Sequence, residues 1–202
     1  MRYNRDHDAR RQEQEMKTGP RTITILRHAE KPSAADSLQP AFGVDEQGQP
    51  QAESLIPRGW QRAGALAAVL SSTAPPPPFV RPTALFAPAY PDETLHRPGE
   101  TITPLARKLK VQIQTPVSKG QEDILVRASL LSQPGQDVLV CWEHHHIPAI
   151  VAALSLALSV STLTPNGTLW PDTDFSSALL FIRQPDGLYT LTQARLRLLD
   201  SD

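Results

Sequence analysis

The sequence predicts an α/β fold: a three-layer α/β/α sandwich built on a mainly parallel central sheet. Three observations lead there. Short apolar runs of β-forming residues recur at 22–26, 83–87 and 138–142. Stretches of helical spacing separate them, at 57–71, 100–110, 122–131 and 147–160. The apolar runs are continuous rather than alternating, as strands covered on both faces require.

Taken in order, Thr22-Ile23-Thr24-Ile25-Leu26 forms the first strand and stops at Arg27-His28. Residues 31–53, rich in Pro, Gly, Gln, Asp and Ser, read as a long loop. Pro57 suits a first helical turn, and Trp60, Ala63, Ala67 and Leu70 follow at helical spacing. Four prolines at 75–78 end that helix. A strand over 83–87 leads into a Pro-rich loop, 88–99, and then a helix over 100–110. A short strand at 111–113 and a helix over 122–131 follow. Val138-Leu139-Val140-Cys141-Trp142 is the clearest strand, and Ile147, Ile150, Val151, Leu154 and Leu158 mark the next helix. Residues 161–177 read as loop, with Trp170-Pro171-Asp172 assigned to packing in a loop able to border the site. A terminal hairpin over 178–182 and 188–192 turns at Asp186-Gly187.

Composition bounds the function. Of 202 residues, 40% are hydrophobic and 20% charged, which excludes a wholly disordered chain. The net charge of −1 argues against a protein held to nucleic acid by bulk charge. No stretch approaches the roughly 18 apolar residues of a membrane span, and the hydrophilic residues 1–21 carry no secretory apolar core. The expectation is a cytoplasmic protein with a flexible tail over 1–21 and one domain over 22–202. The single cysteine, Cys141, precludes an internal disulfide and a Cys-rich zinc site. It falls in a buried strand and reads as inert.

In open parallel sheets ligands bind beyond the carboxyl ends of the strands. There the sequence delivers Arg27-His28-Ala29-Glu30, then His96-Arg97, then Glu143-His144-His145-His146. Guanidinium groups match phosphate oxygens, and a neutral imidazole is a nucleophile. The combination suits a phosphoryl group attacked by histidine. No Gly-rich phosphate loop or dinucleotide fingerprint is present.

These residues resemble the histidine phosphatase superfamily, whose members share a phosphoglycerate-mutase-like fold. Ile25-Leu26-Arg27-His28-Ala29-Glu30 is similar to its Arg-His-Gly signature, with Ala29 in place of Gly. Leu55-Ile56-Pro57-Arg58-Gly59-Trp60-Gln61-Arg62-Ala63 resembles its Leu-Ser/Thr-x-x-Gly-x-x-x-Ala helix start, and Ile56 removes the usual hydroxyl cap. Arg97-Pro98-Gly99-Glu100-Thr101, after Ala87-Pro88 and a longer loop, resembles its Arg-x-x-x-Thr element. Trp142-Glu143-His144 resembles the strand end carrying a second histidine, one residue later than the common form, in the manner of a bacterial Trp-Glu-His branch.

The resemblance covers roughly residues 22–160 and implies a metal-independent phosphomonoesterase. In it His28 is the nucleophile, with Arg27, Arg97 and His144 around the phosphoryl oxygens. It implies no cofactor and no metal. His144 is preferred to His145 as the second histidine. The proton donor stays open among Asp92, Glu93 and Glu143. The expected substrate is a small-molecule or phosphoprotein phosphomonoester, with no nucleic acid or membrane partner and an open oligomeric state. A phosphoglycerate-mutase-type phosphotransferase and a catalytically silent phospholigand-binding protein are the alternatives. Outside the motifs, Arg58, Arg62, Glu30 and Lys31 read as ion-paired surface or entrance residues, and three consecutive histidines rarely face one metal.

Overall fold

The computed structural model describes residues 19–33, 42–92, 95–161, 170–200 and 202. Six strands form the main sheet: β1 (Thr22–Arg27), β4 (Ala84–Phe86), β5 (Ile113–Gln114), β6 (Asp137–Trp142), β7 (Ser177–Arg183) and β8 (Tyr189–Arg195). Their order is β5-β4-β6-β1-β7-β8. The first four run parallel, and β7 and β8 complete the sheet antiparallel. A separate pair, β2 (Gly43–Val44) and β3 (Pro50–Gln51), lies within the stretch expected to be loop.

Both faces of the sheet are covered, as the continuous apolar runs require. Along β6, Val138, Val140 and Trp142 join the core that holds Ile147, Ile150 and Leu154 of α4 (Ile147–Ala157). The alternate residues Leu139 and Cys141 join the opposite core. That second core holds Leu66 and Leu70 of α1 (Pro57–Leu70) with Ile102 and Leu105 of α2 (His96–Leu109). Side chains alternate across a strand, so one six-residue run feeds two cores.

Several elements differ from expectation for local reasons. The helix expected over 100–110 begins at His96. Pro98 is tolerated there because first-turn N–H groups have no intrahelical partner. The stretch expected as a helix over 122–131 is an α turn, Glu122–Ile124, continued by a π-helical stretch, Leu125–Leu130; together these are α3. Residues 19–21 belong to the folded frame rather than to a tail. Arg21 pairs with Asp137, its N–H donates to the Gln136 carbonyl at 2.7 Å, and Gly19 accepts from Gly135 at 3.0 Å. The expected tail otherwise lies outside the described residues. Among the described residues no helix is long and apolar enough to cross a membrane. The terminal hairpin forms as expected, longer at both strands, with Gly187 at φ 88°.

The start of α1 shows how the sequence positions a loop. Ile56 provides no side-chain cap. Ser54, two residues earlier, donates to Glu100 at 2.5 Å, and Leu55 N–H donates to the same carboxylate at 3.0 Å. Ile56 N–H donates to the Glu30 carbonyl at 3.1 Å. A Cβ on Gly59 would lie 2.5 Å from that carbonyl oxygen, so only glycine lets α1 approach this backbone. Gly59→Ala is therefore expected to displace the 28–30 loop and to cost about 1–3 kcal/mol of stability. Urea unfolding measures the cost.

Candidate active site

β1 and β6 are neighbours in parallel register, with Arg27 beside Trp142. Both chains leave the sheet at one edge, and His28 N–H still donates to the Trp142 carbonyl at 3.1 Å. This topology delivers His28 and His144 side by side from positions more than a hundred residues apart. Their rings stand edge to face with centroids 6.1 Å apart, and each residue is only 2% exposed. β4 flanks β6 on its other side and sends the chain toward α2, which carries Arg97.

The His28 ring is fixed by its own loop. Nδ1 lies 2.7 Å from the Ala29 carbonyl, which only accepts, so Nδ1 carries the hydrogen and Nε2 keeps the lone pair. Ala29 N–H donates to Thr101 Oγ1 at 2.9 Å, and that hydroxyl donates to the Arg97 carbonyl at 2.7 Å. The first turn of α2 thus holds the loop that holds His28. Burial, reinforced by the charges of Arg27, Arg97 and Lys31, pulls the His28 pKa down to about 3. The imidazole is neutral at any ordinary pH.

That depression makes a stability prediction. The unfolded chain protonates His28 near its ordinary value of about 6.5, whereas the folded chain resists until about 3. Above pH ~6.5 the term vanishes. Between the two values the unfolded state binds the extra proton, and stability falls by up to about 1.4 kcal/mol per pH unit. Chemical unfolding of the protein and of His28→Gln across this range should show a shallower acid slope in the variant.

Arg27 is 4% exposed. Its Nη1 donates to the carbonyls of Pro171 at 3.0 Å and Asp172 at 2.5 Å, and its guanidinium lies 4.0 Å over the Phe175 ring. Burial pulls its pKa down to about 10, opposed by Asp172, Asp174 and Glu30, so it stays charged at neutral pH. Arg97 Nη2 donates to the Ala52 carbonyl at 2.7 Å, and its Nη1 lies 3.4 Å from Glu53. His144 Nε2 lies 2.5 Å from Asp172 Oδ1. Burial and the Arg27 charge lower the His144 pKa, while Asp172 opposes them. Three buried side-chain N or O atoms lack a partner among the described residues: Arg27 Nε, His144 Nδ1 and Ser155 Oγ. Two of the three belong to residues flanking His28.

A cleft of about 990 Å³ opens beside this group. Arg27, Lys31, His145, Asp172 and Phe175 line it, together with an ionic cluster. In that cluster Arg62 is bidentate to Glu30 through contacts of 2.8–3.1 Å and holds Asp202 at 2.6 Å. Arg58 joins Glu30 at 3.3 Å, and Arg195 lies 4.0 Å from Asp174.

Two solved structures share this architecture. A phosphoserine phosphatase from Entamoeba histolytica, in complex with 3-phosphoglyceric acid, superimposes with a TM-score of 0.52 at 13% identity. The alignment covers 88% of this chain and 99% of that one. A mycobacterial glucosyl-3-phosphoglycerate phosphatase, complexed with inorganic phosphate, gives 0.51 at 14% identity over 86% and 95%. The fold is that of these two proteins, a mainly parallel sheet covered by helices. No family model matches the chain, and no curated protein matches it.

On this fold the structure brings His28, Arg27 and His144 together and sets Arg97 where its charge reaches His28. His145 is exposed on the cleft wall, its ring 3.9 Å from that of His144, and His146 turns to Glu122 at 3.1 Å. Of the proton-donor candidates, Asp92 lies 2.7 Å from His96 Nε2, while Glu143 pairs with Lys119 at 2.7 Å. Glu93 lies outside the described residues. The reading of Trp170-Pro171-Asp172 as packing gives way to its alternative, a loop that borders the site. Pro171 and Asp172 line the cleft, and their carbonyls, with the Asp172 carboxylate, contact Arg27 and His144. A loop that enters a site from a distant strand leaves no motif, so the sequence offered the loop as a border without marking the contacts of Asp172. The ionic reading of Arg58 and Arg62 holds, although Arg62 is buried and both line the cleft. Cys141 is fully buried, and burial raises its thiol pKa.

Among the described residues one set of side chains places ligand atoms close enough to share a metal ion: His144, His145 and Asp172, mutually within 4.8 Å.

Proposed function

We propose that the protein is a phosphomonoester hydrolase working through a phosphohistidine on His28. The observation carrying this reading is a neutral, lone-pair-bearing imidazole beside two residues that each hold a buried nitrogen without a hydrogen-bond partner among the described residues, Arg27 Nε and His144 Nδ1. Buried donors without acceptors are costly. A phosphoryl group accepting from Arg27 Nε removes that part of the cost.

In the first step the Nε2 lone pair attacks phosphorus, a P–N bond forms, and the P–O bond to the leaving group breaks. The departing oxygen takes a proton from solvent, which the second step returns. In the second step water attacks phosphorus, the P–N bond breaks, inorganic phosphate leaves, and the proton lost by water passes to solvent. Phosphoryl transfer needs mainly alignment and charge stabilisation. Arg27 and Arg97 supply the charge, and Asp172 fixes the His144 ring through Nε2. The catalytic groups are His28, Arg27, Arg97 and His144, and the reaction itself calls for no metal.

The test is release of p-nitrophenol from p-nitrophenyl phosphate by the purified chain in excess EDTA. Turnover that EDTA leaves intact supports the reading. An inactive protein that still binds inorganic phosphate would favour a phospholigand-binding role.

A further inference from the structure

We infer that His144, His145 and Asp172 form a binding site for a divalent transition ion of the Zn²⁺ class. The inference does not rest on the proposed hydrolysis, since it stands on side-chain placement alone.

Three features carry it. The ligand atoms of the three side chains already lie within 4.8 Å of one another, and His144 Nε2 and Asp172 Oδ1 are 2.5 Å apart. His145 and Asp172 are exposed side chains, while His144 is buried. Next, the donor set is two imidazoles and a carboxylate, which suits Zn²⁺, Co²⁺ or Ni²⁺ rather than Mg²⁺ or Ca²⁺. His145 and Asp172 line the 990 Å³ cleft, so an ion has a route in and a fourth position open to water. Finally, the set is held from both sides. His144 is buried at the end of β6, and the Asp172 backbone is tied to Arg27 at 2.5 Å.

The Arg27 charge opposes a cation here, and Asp172, Asp174 and Glu30 surround and offset it. Consecutive histidines alone do not make this site. His146, the third of the run, faces Glu122, and the missing ligand comes from a loop 28 residues downstream of His144. An ion on Nε2 displaces the hydrogen shared with Asp172, and the neutral His144 ring then carries its proton on Nδ1. The site thereby sets the tautomer of a residue beside His28.

The experiment is a Co²⁺ titration of the full chain, read by visible absorption, followed by Zn²⁺ competition. A saturable spectrum that Zn²⁺ abolishes at one equivalent is expected. His145→Ala and Asp172→Ala, both exposed positions, should each weaken Co²⁺ binding at least about tenfold. His146→Ala should bind as the unchanged protein does. Absence of a saturable spectrum overturns the inference. So does a spectrum that survives both substitutions, or one weakened equally by His146→Ala. A failure of hydrolysis leaves this readout untouched.

Discussion

Alanine at position 28 is expected to lower p-nitrophenyl phosphate turnover by roughly 10⁶-fold, the scale of losing a covalent nucleophile. The substitution removes a ring whose lone pair is both directed by a backbone carbonyl and kept free of protons by burial. His144 does not replace it, because Nε2 is committed to Asp172. Two measurements check the prediction together. Initial rates with and without substitution give the loss. Acid-labile, base-stable radiolabel from a phosphorylated substrate reports the phosphohistidine and should be absent from His28→Ala. Residual turnover within tenfold of the unchanged protein would sink His28 as nucleophile. Arg27→Ala and Arg97→Ala should fall far short of this loss, at about 10²–10³ each, since each removes a donor rather than the attacking atom.

The largest effect on stability is expected at Arg62. Its side chain is 6% exposed and neutralises two buried carboxylates, Glu30 and Asp202. Arg62→Met keeps most of the packing volume but leaves Glu30 and Asp202 without their shared guanidinium, and Glu30 is 5% exposed. Breaking a buried pair from one side costs about 3–5 kcal/mol. Arg58 at 3.3 Å from Glu30 moderates the loss, so the lower half of that range is expected. The decisive comparison is Arg62→Met with Glu30→Gln. Removing both charges should recover part of the cost, because the penalty comes from an unpaired charge rather than from a missing bond. Urea denaturation of both single variants and the double variant measures it. Additive losses would mean that the cluster is solvated and contributes little.

The parts of the molecule legible in the sequence are those with a local physical cause. The strand Val138-Leu139-Val140-Cys141-Trp142 is continuous and apolar because its alternate residues feed two cores, and that alone implies a sheet covered on both sides. Pro57 marks the start of α1 because its missing N–H is of no consequence there. His28 and His144 were legible as strand-end residues, since parallel neighbours must end at one edge. The role of Asp172 was not. It reaches His144 from a loop whose path depends on where β7 docks, and no spacing encodes that. The early start of α2 at His96 was also hidden. Pro98 and Gly99 read as loop residues, yet Gly99 N–H already donates to the Leu95 carbonyl at 3.1 Å in the first helical turn. The π-helical stretch in α3 has no sequence mark that we recognise.

The paired rim of the cleft has a consequence for how a charged reactant arrives. Five basic side chains face four acidic ones there, most of them locked to one another at short range. Such an arrangement projects almost no field beyond a Debye length, about 8 Å at physiological ionic strength. A dianion is then drawn in by chance collision rather than by long-range attraction, and feels the guanidinium of Arg27 only once inside. Raising salt from low to physiological levels should change kcat/KM by less than about threefold, far from the steep decline of electrostatically guided encounters.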